Sequence, residues 1–163
     1  MDIQRVYGYA LQREYEGKRF FVDYANRLTH SSAVGVFNKL AQEEQKHIEF
    51  IQRQIDLLSE NKPSDFEQDD ALRQYEFFSI RASNELIEQT VSEAMVPDLP
   101  ILRMAYLIER DFAEFYENAA KQTEGSVRKA LETLAFWERR HESLFKELHD
   151  KAFNEYSKMP WGG

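Results

Sequence analysis

Glu44 and His47 stand three residues apart, and so do Glu138 and His141. On an α-helix that spacing places both side chains on one face, so each pair delivers a carboxylate and an imidazole to one point. Both pairs sit in the same phrase, Leu-Ala-x-x-Glu-x-x-His, opening at Leu40-Ala41 and again at Leu134-Ala135. About thirty residues before each phrase, a lone glutamate, Glu14 or Glu109, interrupts another apolar helix face. Carboxylates and imidazoles in this number are ligands for a pair of metal ions. Two divalent cations balance four glutamates, and two neutral imidazoles give each cation one nitrogen ligand.

Energetics sharpen this reading. Four unpaired carboxylates in an apolar layer would each carry a desolvation penalty of several kcal/mol, which together rivals the whole stability of a domain. Protonation of the carboxylates would also compensate, but it leaves the recurrence of histidine unexplained. One Glu-x-x-His pair alone is weak evidence, because a surface pair is harmless. Its duplication, with a glutamate matched to each copy, is what carries the inference. For Tyr116, seven residues after Glu109, core packing and a hydrogen bond to a ligand carboxylate both remain open. The candidate catalytic set is the six ligands with Tyr116. Glu43, Glu114, Glu142, Arg139 and Arg140 are expected on the solvated face, with the arginines able to reach around the ligands. His30 and His149 receive no role.

The elements that must position these residues are helical. With ten glycines and prolines in 163 residues, and segments rich in Ala, Leu, Glu, Gln, Lys and Arg, the composition is all-α. A single domain over residues 1–163 is expected from the length and the 42% hydrophobic content. Apolar stripes predict a first helix near residues 2–29, a second capped by Ser31 or Ser32 and closing at Asn61-Lys62-Pro63, a third starting near Pro97-Asp98-Leu99-Pro100, and a fourth capped by Ser126. Between the second and third, residues 61–97 read as a long crossover with a short helix near 84–93 and an aromatic cluster at Tyr75, Phe77 and Phe78.

The halves repeat: Glu44 to Glu138 is an offset of 94, and Glu14 to Glu109 one of 95. A duplicated antiparallel hairpin joined by one crossover predicts a pseudo-twofold four-helix bundle. Glu14 lies ~22 Å from the end of its helix and Glu44 ~18 Å from the start of the next, at 1.5 Å per residue. The second hairpin gives a similar match, so all six ligands reach one layer in mid-bundle.

Other classes drop out. A net charge of −8 with no basic cluster argues against nucleic acid. No apolar run approaches a membrane span and the start carries no secretory signal, so a cytoplasmic protein is expected. The absence of cysteine removes disulfides, thiolate metal sites and thiol catalysis, and leaves iron, manganese or zinc on oxygen and nitrogen ligands.

With Glu14, Leu40-Ala41-x-x-Glu44-x-x-His47, Glu109 and Leu134-Ala135-x-x-Glu138-x-x-His141 in view, the chain resembles the ferritin-like di-iron carboxylate proteins, and most closely rubrerythrins without a rubredoxin domain. The resemblance implies two iron ions, Fe(II) or Fe(III), bridged by Glu44 and Glu138, with Glu14 and Glu109 terminal and one histidine on each. It implies an oxidoreductase reducing hydrogen peroxide or dioxygen in oxidative-stress defence, an external electron donor of rubredoxin or flavoprotein kind, and a homodimer or higher oligomer. A ferroxidase feeding an iron store, or a metal-stabilised bundle with a structural or partner-binding role, are the alternatives. Two positions depart from the family pattern. Phe112 stands where rubrerythrins have a further glutamate active in a redox-linked ligand switch, and Phe21 stands where the first half has a tyrosine matching Tyr116.

Overall fold

The computed structural model describes residues 2–64 and 93–160. Its helices are α1 (Ile3–Ala25), α2 (Ser31–Ser59), α3 (Leu99–Lys121) and α4 (Gly125–Lys158), with a 3-10 helix over Glu93–Asp98 before α3. Among the described residues there is no strand, and no helix is long and apolar enough to cross a membrane. The expected crossover, its short helix and the Tyr75-Phe77-Phe78 cluster fall largely outside the described residues.

α1 packs against α2 and α3 against α4, two hairpins joined by short turns. Each helix runs from one apolar cluster to another and changes cluster at its ligands. One cluster is built on Phe21, Phe37, Leu40, Leu102, Phe145 and Leu148. The other holds Tyr7, Ile51, Phe112, Tyr116, Leu131, Leu134 and Trp137. Along α1 the order is Tyr7, Glu14, Phe21, and along α4 it is Leu134, Glu138, His141, Phe145, all buried. Burying each large side chain contributes about 1.5–3 kcal/mol, and these plugs above and below hold a polar layer that apolar contacts alone would reject.

The helix ends differ from their sequence expectation in an instructive way. α1 starts as its composition suggests, with Asp2 accepting from the Arg5 backbone N–H at 3.2 Å. Neither Ser31 nor Ser126 caps a helix: the cap positions are His30 and Glu124, and neither makes a side-chain cap bond. Ser126 Oγ instead accepts the backbone N–H of Ser64 at 3.1 Å. In the turn before α2 the backbone is held from outside the hairpin. Buried Asp98 accepts from the N–H groups of Thr29 (2.9 Å) and His30 (3.1 Å) and from the Thr29 hydroxyl (3.0 Å), tying the start of α3 to the α1–α2 turn. Asp98→Ala leaves those donors without their acceptor, and we expect it to lower unfolding free energy by about 2–4 kcal/mol in urea denaturation. An unchanged denaturation midpoint would show that water replaces the carboxylate.

Candidate metal centre

All six predicted ligands meet in the middle layer: Glu14, Glu44, His47, Glu109, Glu138 and His141 are each at most 2% exposed. Nδ1 of His47 lies 3.1 Å from Glu14 Oε2, 3.4 Å from Glu44 Oε2 and 2.8 Å from Glu138 Oε1. Nδ1 of His141 lies 3.5 Å from Glu44 Oε1, 3.5 Å from Glu109 Oε2 and 3.5 Å from Glu138 Oε2. Each Nδ1 therefore faces three carboxylates, and two of the three are common to both. Glu44 and Glu138 each turn one oxygen toward His47 and the other toward His141. The histidine rings lie 5.4 Å apart between centroids and are nearly parallel, at 17°.

Two sets of donor atoms result, Glu14-Glu44-His47-Glu138 and Glu44-Glu109-Glu138-His141, with the atoms of each set within 4.8 Å of one another. Either set can hold a metal ion. The donors also fit by what they lack: among the described residues no oxygen of Glu44, Glu109 or Glu138 accepts a well-aligned hydrogen bond, although all are buried. A buried acceptor without a donor is costly, and a cation is the partner that satisfies several at once.

The electrostatics show how protons compensate in the absence of metal. Burial, reinforced by Glu138 and Glu44, pushes the Glu14 carboxyl well above its ordinary range, and burial with Glu44 does the same to Glu109. Burial opposes ionisation of Glu44 and Glu138 too, but the adjacent His47 outweighs it and holds both below the usual carboxylate range. Burial would lower the two histidines, yet the carboxylates raise both well above an ordinary imidazole: Glu138, Glu44 and Glu14 around His47, and Glu109 foremost around His141. The shared glutamates thus favour the carboxylate form while the terminal glutamates and the imidazoles favour protons. Histidine accordingly has a part in the proton-compensated state as well, beyond what the sequence argument allowed it.

Tyr116 resolves toward hydrogen bonding. Its buried hydroxyl donates to Glu14 Oε1, and burial followed by the Glu14 charge raises its pKa well above that of an ordinary phenol. Phe112 is buried with its ring against Gly17: a Cβ on that glycine would stand 2.9 Å from Phe112 Cε2 and 3.7 Å from Glu44 Oε2. Gly17 makes room for the Phe112 ring.

Glu43 corrects the sequence reading. It is 1% exposed, not solvated, and its Oε2 lies 3.6 Å from Nε2 of His141. The signal was present: Val36 and Phe50, seven residues to either side, are buried on the same face. Trp137, given no role from sequence, stacks on His47 at 5.0 Å and 7°. The arginine Arg139 stays outside, bridging Glu117 at 2.7 Å and Glu142 at 2.6 Å, and Glu114 is exposed as expected.

The helical bundle thus carries in its core two overlapping carboxylate-imidazole donor sets, each able to hold a metal ion. Residues 100–160 match the rubrerythrin family model. The match spans Glu109, Tyr116, Glu138 and His141, and the structure brings Glu14, Glu44 and His47 to them from the hairpin outside it. No curated protein and no solved structure matches the chain.

Proposed function

We propose that the protein is a di-iron oxidoreductase that reduces hydrogen peroxide or dioxygen. The observation that carries this reading is the sharing of Glu44 and Glu138 between two donor sets, one of them lying mostly in rubrerythrin-family sequence. Glu14 and His47 would hold one iron and Glu109 and His141 the other, with the shared carboxylates spanning both. An iron pair held there would supply two electrons on passing from the ferrous to the ferric state. Peroxide reduction then balances as one hydrogen peroxide, two protons and two electrons giving two waters.

The chain's own residues set the conditions. Because no ligand side chain exceeds 2% exposure, only a substrate of a few atoms reaches the layer without moving a helix. Phe21, Phe112 and Phe145 keep bulk water from the carboxylates. Tyr116 holds a proton at its hydroxyl beside Glu14 and stays protonated through neutral pH. With no cysteine in the chain to carry electrons, turnover draws on an external donor of rubredoxin or flavoprotein kind.

Anaerobically reduced, iron-loaded protein mixed with peroxide in a stopped-flow spectrometer tests this. A fast oxidation consuming one peroxide per two irons is expected. Absence of reaction removes the oxidoreductase reading. Uptake of iron far beyond two per chain in air would mark a ferroxidase feeding a store, and retention of zinc with no response to oxidant would mark a structural metal.

A further inference from the structure

The two halves of the layer are copies in their ligands but not in the residues that touch them. At the offset of 94 that relates Glu44 to Glu138 and His47 to His141, Glu43 corresponds to Trp137. Both are buried, at 1% and 5% exposure, and each reaches across to the histidine of the other hairpin. Glu43 brings a carboxylate oxygen to 3.6 Å from Nε2 of His141, while Trp137 lays its indole flat on the ring of His47. At the offset of 95 that relates Glu14 to Glu109, Tyr116 corresponds to Phe21. Tyr116 donates to Glu14, whereas Phe21 has no hydroxyl to donate, and among the described residues neither oxygen of Glu109 accepts a well-aligned hydrogen bond. Two independent breaks in the pseudo-symmetry therefore bear on the same comparison.

We propose that Glu43 and Tyr116 make the two metal positions unequal, the Glu109–His141 position being the tighter and the first to fill with a divalent cation. This rests on reading the layer as a two-metal centre. The negative end of Glu43, 3.6 Å from Nε2, favours the proton on that nitrogen, leaves the Nδ1 lone pair directed at Glu44, Glu109 and Glu138, and makes the imidazole a stronger donor. Such outer partners are worth about 10–100-fold in metal affinity. Lys46 lies 4.0 Å from the other oxygen of Glu43 and is 38% exposed. Stacking by Trp137 orients His47 but adds no negative charge to it. Meanwhile the Tyr116 hydroxyl donates to Glu14 Oε1 and draws electron density from that carboxylate, making Glu14 a weaker donor to a cation at the Glu14–His47 position. Glu43 and Tyr116 are positioning residues in this scheme.

Titrating Co(II) into the metal-free full-length chain, by calorimetry and by the visible absorption of the bound ion, tests the proposal. Two steps separated by about tenfold or more are expected. His47→Ala should keep the tight step and His141→Ala should lose it. Glu43→Gln, nearly isosteric, should weaken the tight step about tenfold and leave the second in place, while Tyr116→Phe, which removes the electron-withdrawing donor from Glu14, should strengthen the second step and narrow the gap. Two indistinguishable steps in the unaltered chain would overturn the proposal, as would a Glu43→Gln protein whose steps are both unchanged or both weakened alike. Failure of the unaltered chain to bind Co(II) at all would instead overturn the two-metal reading beneath it.

Discussion

At pH 8 the metal-free protein should melt ~10–20 °C below its metal-loaded form, and the gap should close as the pH falls toward 5. Each ion present at about a hundredfold excess over its dissociation constant adds about 2.7 kcal/mol, and in a chain of this size each kcal/mol moves the melting temperature by roughly 2–4 °C. The pH dependence follows from the direction of each shift in the metal-free state. His47 and His141 are raised, so their contribution is complete below an ordinary imidazole pKa of about 6.5 and is lost as the pH climbs through their folded values. Glu14 and Glu109 are also raised, so their contribution is complete below about 4.5 and is likewise lost on the way up. Glu44 and Glu138 are lowered, so theirs is present above about 4.5 and is lost only in stronger acid. The metal-free chain is therefore most stable in mild acid and weakens steadily toward pH 9. Cations compete for the same groups, and loading releases up to roughly four protons, so metal affinity rises with pH. Thermal melts of chelator-treated and loaded protein from pH 5 to 9, with calorimetry in buffers of different ionisation enthalpy, measure both quantities. A metal-free protein that gains stability between pH 6 and 9 would contradict the arrangement of charges described above.

Glu44→Ala should weaken both positions, leaving well under one bound ion per chain after dialysis, and should slow oxidation by peroxide by ~100-fold or more. Glu44 belongs to both donor sets, so its removal takes an oxygen from each and the connection between them. Glu14→Ala is the informative contrast. Glu14 belongs to one set only, and that variant should keep the ion held by Glu109 and His141. Elemental analysis after dialysis, with stopped-flow traces on the same samples, separates the two outcomes. Equal metal content in both variants would mean that the sets are not shared in the way their geometry presents. The fold should survive either change, since both shorten a buried side chain without introducing a charge, and circular dichroism checks this.

Much of the site was legible because its information is local. Three-residue spacing fixes a shared helix face, and counting the rise from each turn puts Glu14 level with Glu44 and Glu109 level with Glu138, as the structure places them. Cap positions were less legible. Ser31, Ser32 and Ser126 have the right chemistry for caps, but Asp98 and Ser64 contact the same turns from distant parts of the chain, and no local rule anticipates them. Glu43 was misplaced for a related reason. A single apolar stripe along α2 passes through Glu44 and His47, yet α2 is buried over a wider arc that also takes in Val36, Glu43, Phe50 and Gln54.

By itself the sequence determined the candidate ligand residues, their helices and their common depth, because helical periodicity and rise are properties of one chain segment at a time. Only the tertiary structure decided which oxygens face which imidazole, that Glu43 meets His141 while Trp137 covers His47, and that Tyr116 reaches Glu14. Those contacts cross from one hairpin to the other. They depend on how each helix is rotated about its own axis, and that rotation is set by Phe21, Phe37 and Phe145 at one end and by Tyr7, Phe112 and Leu131 at the other, packing against partners far away in sequence.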